Sequence, residues 1–113
     1  MPNATDPGQP HGPGQVDERQ VARIARSAAL AVYGVTNVVS ARWWQRWADR
    51  LGRGSNGVRV RTAPTLEVAV NVELAPGVPR DSVLANVADS VRYTVQRDAG
   101  KAIDALTLTV EGR

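Results

Sequence analysis

The sequence predicts an α/β (α+β) fold, a two-layer sandwich in which a mixed sheet of about four strands carries two long helices on one face. Three observations lead there. Residues 57–74, GVRVRTAPTLEVAVNVEL, alternate apolar and polar side chains almost without a slip, as two half-buried strands do. Two longer segments, near 17–34 and 79–100, repeat apolar residues at helical spacing. The chain has 113 residues, 42% of them apolar. That is one domain at most, and a sheet with one apolar face needs a second layer to cover it.

Residues 1–15, MPNATDPGQPHGPGQ, hold four of the seven prolines and three glycines. Such a segment buries too little apolar surface to offset its ordering entropy, so a disordered tail is expected, with a single domain over 16–113. The only histidine, His11, lies in this tail and reads as incidental. Asp17 followed by Gln20 resembles a capping box. The helix behind it places Val21, Ile24, Ala25, Ala28 and Val32 within about 100° of arc. Gly34 is its expected C′ residue. Leu30 and Tyr33 fall off the stripe and read as exposed. Residues 35–40 read as a first strand.

Residues 41–53, ARWWQRWADRLGR, form a short basic amphipathic helix in the loop after that strand. At helical spacing Trp43, Trp44, Trp47, Ala48 and Leu51 fill about 140° of arc and Arg42, Gln45, Arg46, Asp49 and Arg50 fill the rest. Gly52 and Gly54 end it.

In the hairpin, Val58 and Val60 share a face, as do Leu66, Val68, Val70, Val72 and Leu74. Arg59, Arg61, Glu67, Asn71 and Glu73 take the opposite, wet face. Both valine sets reach one core only if paired positions sum to an even number. Pairing Val60 with Val68 meets that condition and sets Arg61 opposite Glu67, leaving Ala63, Pro64 and Thr65 as the turn. A second helix runs from Pro79 or Asp81 to Ala99, closed by Gly100, with the stripe Leu84, Val87, Ala88, Val91 and Val95. Residues 103–111 are the last strand, with Leu106, Leu108 and Val110 inward and Thr107 and Thr109 outward.

Composition narrows the function classes. There is no Cys, which removes disulfides and thiolate metal sites. No apolar run reaches the 18 or so residues of a spanning helix, and the N-terminus does not read as a secretory signal. The expectation is a soluble, intracellular protein. Net charge is +3, yet residues 42–61 alone carry six arginines against one acid, Asp49. The rest of the chain has eight basic and ten acidic residues. All excess basicity therefore sits in one segment.

No constellation for catalysis stands out. Ser27, Ser40, Ser55, Ser82 and Ser90 have no histidine outside the tail to activate them. Asp17 and Asp81 sit where caps belong, and Glu67, Glu73 and Asp89 on solvated faces. There is no phosphate loop and no metal-ligand spacing. The chain is expected to be no enzyme, with no cofactor, metal or small-molecule substrate.

Taken together, Ile24-Ala25-x-x-Ala28-Ala29-x-x-Val32-x-Gly34-Val35, then Leu51-Gly52, Gly57-Val58-x-Val60, Val68-x-Val70-x-Val72, Gly77, Gly100 and Leu106-x-Leu108-x-Val110 resemble the alkaline shock protein family. It is also called the Gls-type general stress, or envelope stress response, family. The resemblance covers residues 15–112. It implies a small cytoplasmic bacterial protein that accumulates under envelope stress and has no catalytic residues. Some members self-assemble and are tethered at the inner face of the membrane by a membrane-anchored relative. The arginine and tryptophan segment departs from the family, whose members usually carry a milder apolar and acidic stretch there.

That segment is the candidate site: Arg42, Trp43, Trp44, Arg46, Trp47, Arg50 and Arg53, extended by Arg59 and Arg61 on the wet sheet face. Its plainest reading is structural, with at least one indole in the domain's own core. Used as a contact, it anchors another copy or a membrane-anchored relative, or lies on an anionic membrane surface. The alternative function is a small nucleic-acid-binding domain, with arginines on phosphates and an indole on a base. It ranks lower because Glu67, Glu73 and Glu111 share the wet face.

Overall fold

A computed structural model describes residues 17–39, 53–55 and 57–111. The expected tail, and all of the expected basic helix except Arg53, lie outside the described residues. The elements run α1 (Glu18–Leu30), β1 (Val35–Val38), β2 (Arg53–Ser55), β3 (Val58–Arg61), β4 (Glu67–Leu74), α2 (Arg80–Ala99) and β5 (Ala105–Val110). The helices cover the valine face of the sheet, and the two-layer sandwich is the expected one.

Asp17 caps α1 in an extended conformation, its Oδ1 accepting the Arg19 N–H at 3.0 Å. One of the helix's orphan donors is thereby satisfied. Asp17→Ala is therefore expected to cost about 1 kcal/mol, read as a lower urea midpoint with an unchanged slope. Val21, Ala22, Ala25, Ala28 and Ala29 are buried, while Ile24 and Val32 are half-buried against the core. Leu30, expected to be exposed, is also half-buried there; Tyr33 is exposed.

Gly34 is not the helix cap. Ala31 is the cap, and Gly34, with φ +98°, lies in the turn into β1. A Cβ at Gly34 would come within 2.9 Å of Val83 Cγ2 on α2. The two helices run antiparallel: Val83 meets Gly34, and the Ser90 hydroxyl donates to the Ala28 carbonyl at 3.0 Å. Because α2 packs on α1 as well as on the sheet, its buried stripe is Val83, Val87, Val91 and Val95. Leu84 and Ala88, expected inside, are half-buried. Gly100 ends α2 in the left-handed region, its N–H on the Gln96 carbonyl.

β4 is the axis of the sheet. Along one edge it pairs antiparallel with β3 and then with β1. The β3 register is the expected one, Val60 opposite Val68 and Arg61 opposite Glu67, while β1 sets Val38 opposite Val72. Along its other edge β5 runs parallel, from Ala105 beside Glu67 to Val110 beside Val72. The hairpin loop is longer than expected, because Leu66 pairs with the last connection instead of with Thr62. Its N–H donates to Asp104 Oδ2 at 2.8 Å, and its carbonyl accepts from the Asp104 N–H.

β2 was not expected. It pairs antiparallel with the outer edge of β3, Arg53 opposite Val60 and Ser55 opposite Val58. Arg53 is thus in a strand and not at the end of a helix. Three residues reading Arg-Gly-Ser carry no apolar period, so only the free edge of β3 reveals them as a strand.

Candidate interaction site

The open face of the sheet, opposite the helices, is built in cross-strand rows. Registers align Arg61, Glu67 and Ala105 in one row and Arg59, Ala69 and Thr107 in the next. The small side chains of Ala69 and Ala105 leave a shallow groove of about 170 Å³ among them. Arg61 Nη1 lies 3.9 Å from Glu67 Oε1, both side chains a little under half exposed. Exposed pairs of this kind contribute about 0–1 kcal/mol.

Of the nine residues singled out in the sequence, Arg59 and Arg61 come together beside this groove. Arg53 lies in the edge strand β2, in register with Val60. Arg42, Trp43, Trp44, Arg46, Trp47 and Arg50 lie outside the described residues.

Farther along the same face is a residue that the sequence placed on the wet side. Asn71 is 1% exposed. Its Nδ2 donates to the Val39 carbonyl at 2.9 Å and to Glu111 Oε1 at 2.8 Å, and its Oδ1 accepts the Thr109 hydroxyl at 2.7 Å. Its backbone N–H donates to Gly57 and its carbonyl accepts from Val39. Asn71 therefore ties the end of β1, the start of β3 and the end of β5 to the central strand. Its burial was hidden because strict alternation assigns it to the polar face, whereas the segments around it come from distant parts of the chain.

On the helix layer, Arg97 forms a surface pair with Asp98, Nε to Oδ1 at 2.6 Å, and its guanidinium lies 5.5 Å from the centre of the Tyr93 ring. The hydrogen bond from Arg97 holds the Asp98 carboxyl below its usual range, and the bond to Asp98 raises Arg97. Among the described residues no cluster of His, Cys, Asp or Glu could hold a metal ion. No helix among them is long and apolar enough to cross a membrane.

No protein-family model matches the chain. Among curated proteins it is similar to the uncharacterized protein YloU of Bacillus subtilis (strain 168). They are 28% identical over 105 residues, with 88% of each chain covered. That relationship is distant. Among solved structures the fold is similar to that of a MamM variant, at 18% identity, a TM-score of 0.50 and 84% of each chain covered. It is also similar to a doubly substituted MamM carboxy-terminal domain, at 19% identity and a TM-score of 0.51, covering 84% of this chain and 93% of the other. At these identities the likeness is one of fold.

Proposed function

We propose that this chain is a non-enzymatic assembly module of the alkaline shock protein family, working in the envelope stress response at the cytoplasmic face of the membrane. Its partners are further copies of itself or a membrane-anchored relative, reached through protein–protein contacts, with an anionic membrane surface as a further contact. What carries the reading is the family-like pattern over residues 15–112. Its glycines and valines occupy working positions: Gly34 at the close approach of α2, Gly57 at the start of β3, and the valines in the core.

The contact itself is assigned to the arginine and tryptophan segment, where an amphipathic pattern and an excess of arginine coincide. A Trp43→Ala, Trp47→Ala double variant is expected to keep its circular dichroism and thermal midpoint, yet to lose capture by the membrane-anchored relative at least tenfold. Unfolding of that variant would mean that the rings belong to the core and would refute the assignment. Vesicles containing anionic lipid are expected to retain more protein than neutral ones, and equal retention argues against the membrane contact. The nucleic-acid reading is less well supported, because Arg61 is engaged by Glu67 on its own sheet face.

A further inference from the structure

We infer that β5 is a docking edge for a second copy of this chain, whose own β5 lies antiparallel to it about a twofold axis at Leu108. This rests on the self-assembly reading above and names the surface that performs it.

The geometry of the ladder comes first. The Glu111 N–H donates to the Val72 carbonyl, so alternate residues of β5 direct their backbone groups toward β4. The backbone N–H and C=O groups of Thr107 and Thr109 therefore point toward β4, and those of Leu106, Leu108 and Val110 point to the outer edge. Among the described residues that edge pairs with nothing. Natural sheets protect such edges with charge, proline, bulges or brevity. The opposite edge strand, β2, has three residues and begins with Arg53. β5 has none of these devices: it is six residues, ALTLTV, in unbroken register with β4.

The apolar surface beside the edge is also incompletely covered. Leu106, Leu108 and Val110 are half-buried on the helix side of the sheet, as are Leu84 and Ala88 on the flank of α2 turned away from α1. A strand added at this edge would bring a second set of leucines to cover the first.

The choice of a second copy follows from self-complementarity. An antiparallel pair keeps leucines with leucines only when paired numbers have an even sum. Centring on Leu108 gives the most hydrogen-bonded pairs: Leu108 with its counterpart, and Leu106 with Val110 on either side. Sliding by two residues loses one. The centred register sets Glu111 opposite the uncharged Ala105 of the copy. The chain's own first fifteen residues are a poor occupant, since their four prolines cannot donate to a ladder.

The natural chain has no cysteine, so single thiols report cleanly. In the centred register counterpart Cα atoms at Leu108 lie about 5.5 Å apart, within disulfide range. Full-length Leu108→Cys is expected to form a disulfide-linked dimer under mild oxidation at least tenfold faster than Thr107→Cys, whose counterpart lies on a longer diagonal. Leu108→Lys, placing like charges face to face at a half-exposed position, is expected to shift the protein to monomer in sedimentation velocity while keeping its helical circular dichroism. Equal or absent cross-linking of the two cysteine variants overturns the proposal even if the lysine variant fails to fold. If the native chain self-associates and Leu108→Lys leaves its size unchanged, assembly stands but this edge is wrong. A native chain that stays monomeric at high concentration overturns both, including the case where its own N-terminal residues or another protein cover the edge.

Discussion

Gly57→Ala is expected to destabilise the protein by about 2–5 kcal/mol, combining left-handed strain with overpacking. Gly57 has φ +97°, which an L side chain rarely adopts. A Cβ there would lie 2.7 Å from Val38 Cγ1, 2.7 Å from the Val39 nitrogen and 2.8 Å from the Val39 oxygen. A side-chain methyl can move aside, but the Val39 backbone cannot, because Asn71 holds both its N–H and its carbonyl. The collision would fall where β1 and β3 abut along β4. Gly100→Ala is the control: its φ is +76°, yet nothing lies within 4 Å of the added methyl. It should cost only strain, on the order of 1 kcal/mol. At about 4–8 °C per kcal/mol for a domain of this size, calorimetry separates the two. Equal losses would mean that the junction is not as tightly closed as described.

The parts of the fold readable in advance are those whose signal is local or fixed by parity. The register of β3 on β4 followed from two alternating runs and the requirement that both valine sets face one core. The end of α2 followed from a single glycine. Arg59 and Arg61 fell together for the same reason of parity. What escaped depends on contacts remote in sequence. β2 exists because β3 has a free edge; the five-residue hairpin loop exists because Leu66 bonds with Asp104, 38 residues away. The stripe of α2 is displaced toward Val83 because a second helix, and not the sheet alone, packs on it. The candidate site is legible as a pattern of charge and indoles, and six of its nine residues lie outside the described residues. Their assignment is therefore tested by variants and not by geometry.

Asn71 is the second position where a large loss is expected, and its variants distinguish a hydrogen-bonding role from a packing role. Asn71→Leu fills a comparable space but leaves the Val39 carbonyl, the Thr109 hydroxyl and the Glu111 carboxylate without their partner. Stranding buried polar groups costs about 1–3 kcal/mol each, so a total of about 2–4 kcal/mol is expected after local rearrangement. Asn71→Asp keeps the shape and the acceptor for Thr109. It replaces both donated bonds with a carboxylate facing Glu111. Two carboxylates so close cannot both stay charged at low cost, so the folded variant holds a shared proton that the unfolded chain releases at neutral pH. Stability then rises as pH falls, because the folded state binds more protons. The deficit of Asn71→Asp relative to the native protein is therefore expected to shrink between pH 7 and pH 5, while that of Asn71→Leu stays nearly constant over the same range. Urea unfolding at the two pH values reads this directly. If the two variants respond alike, the bond from Asn71 to Glu111 is not what closes the junction of β1, β3 and β5.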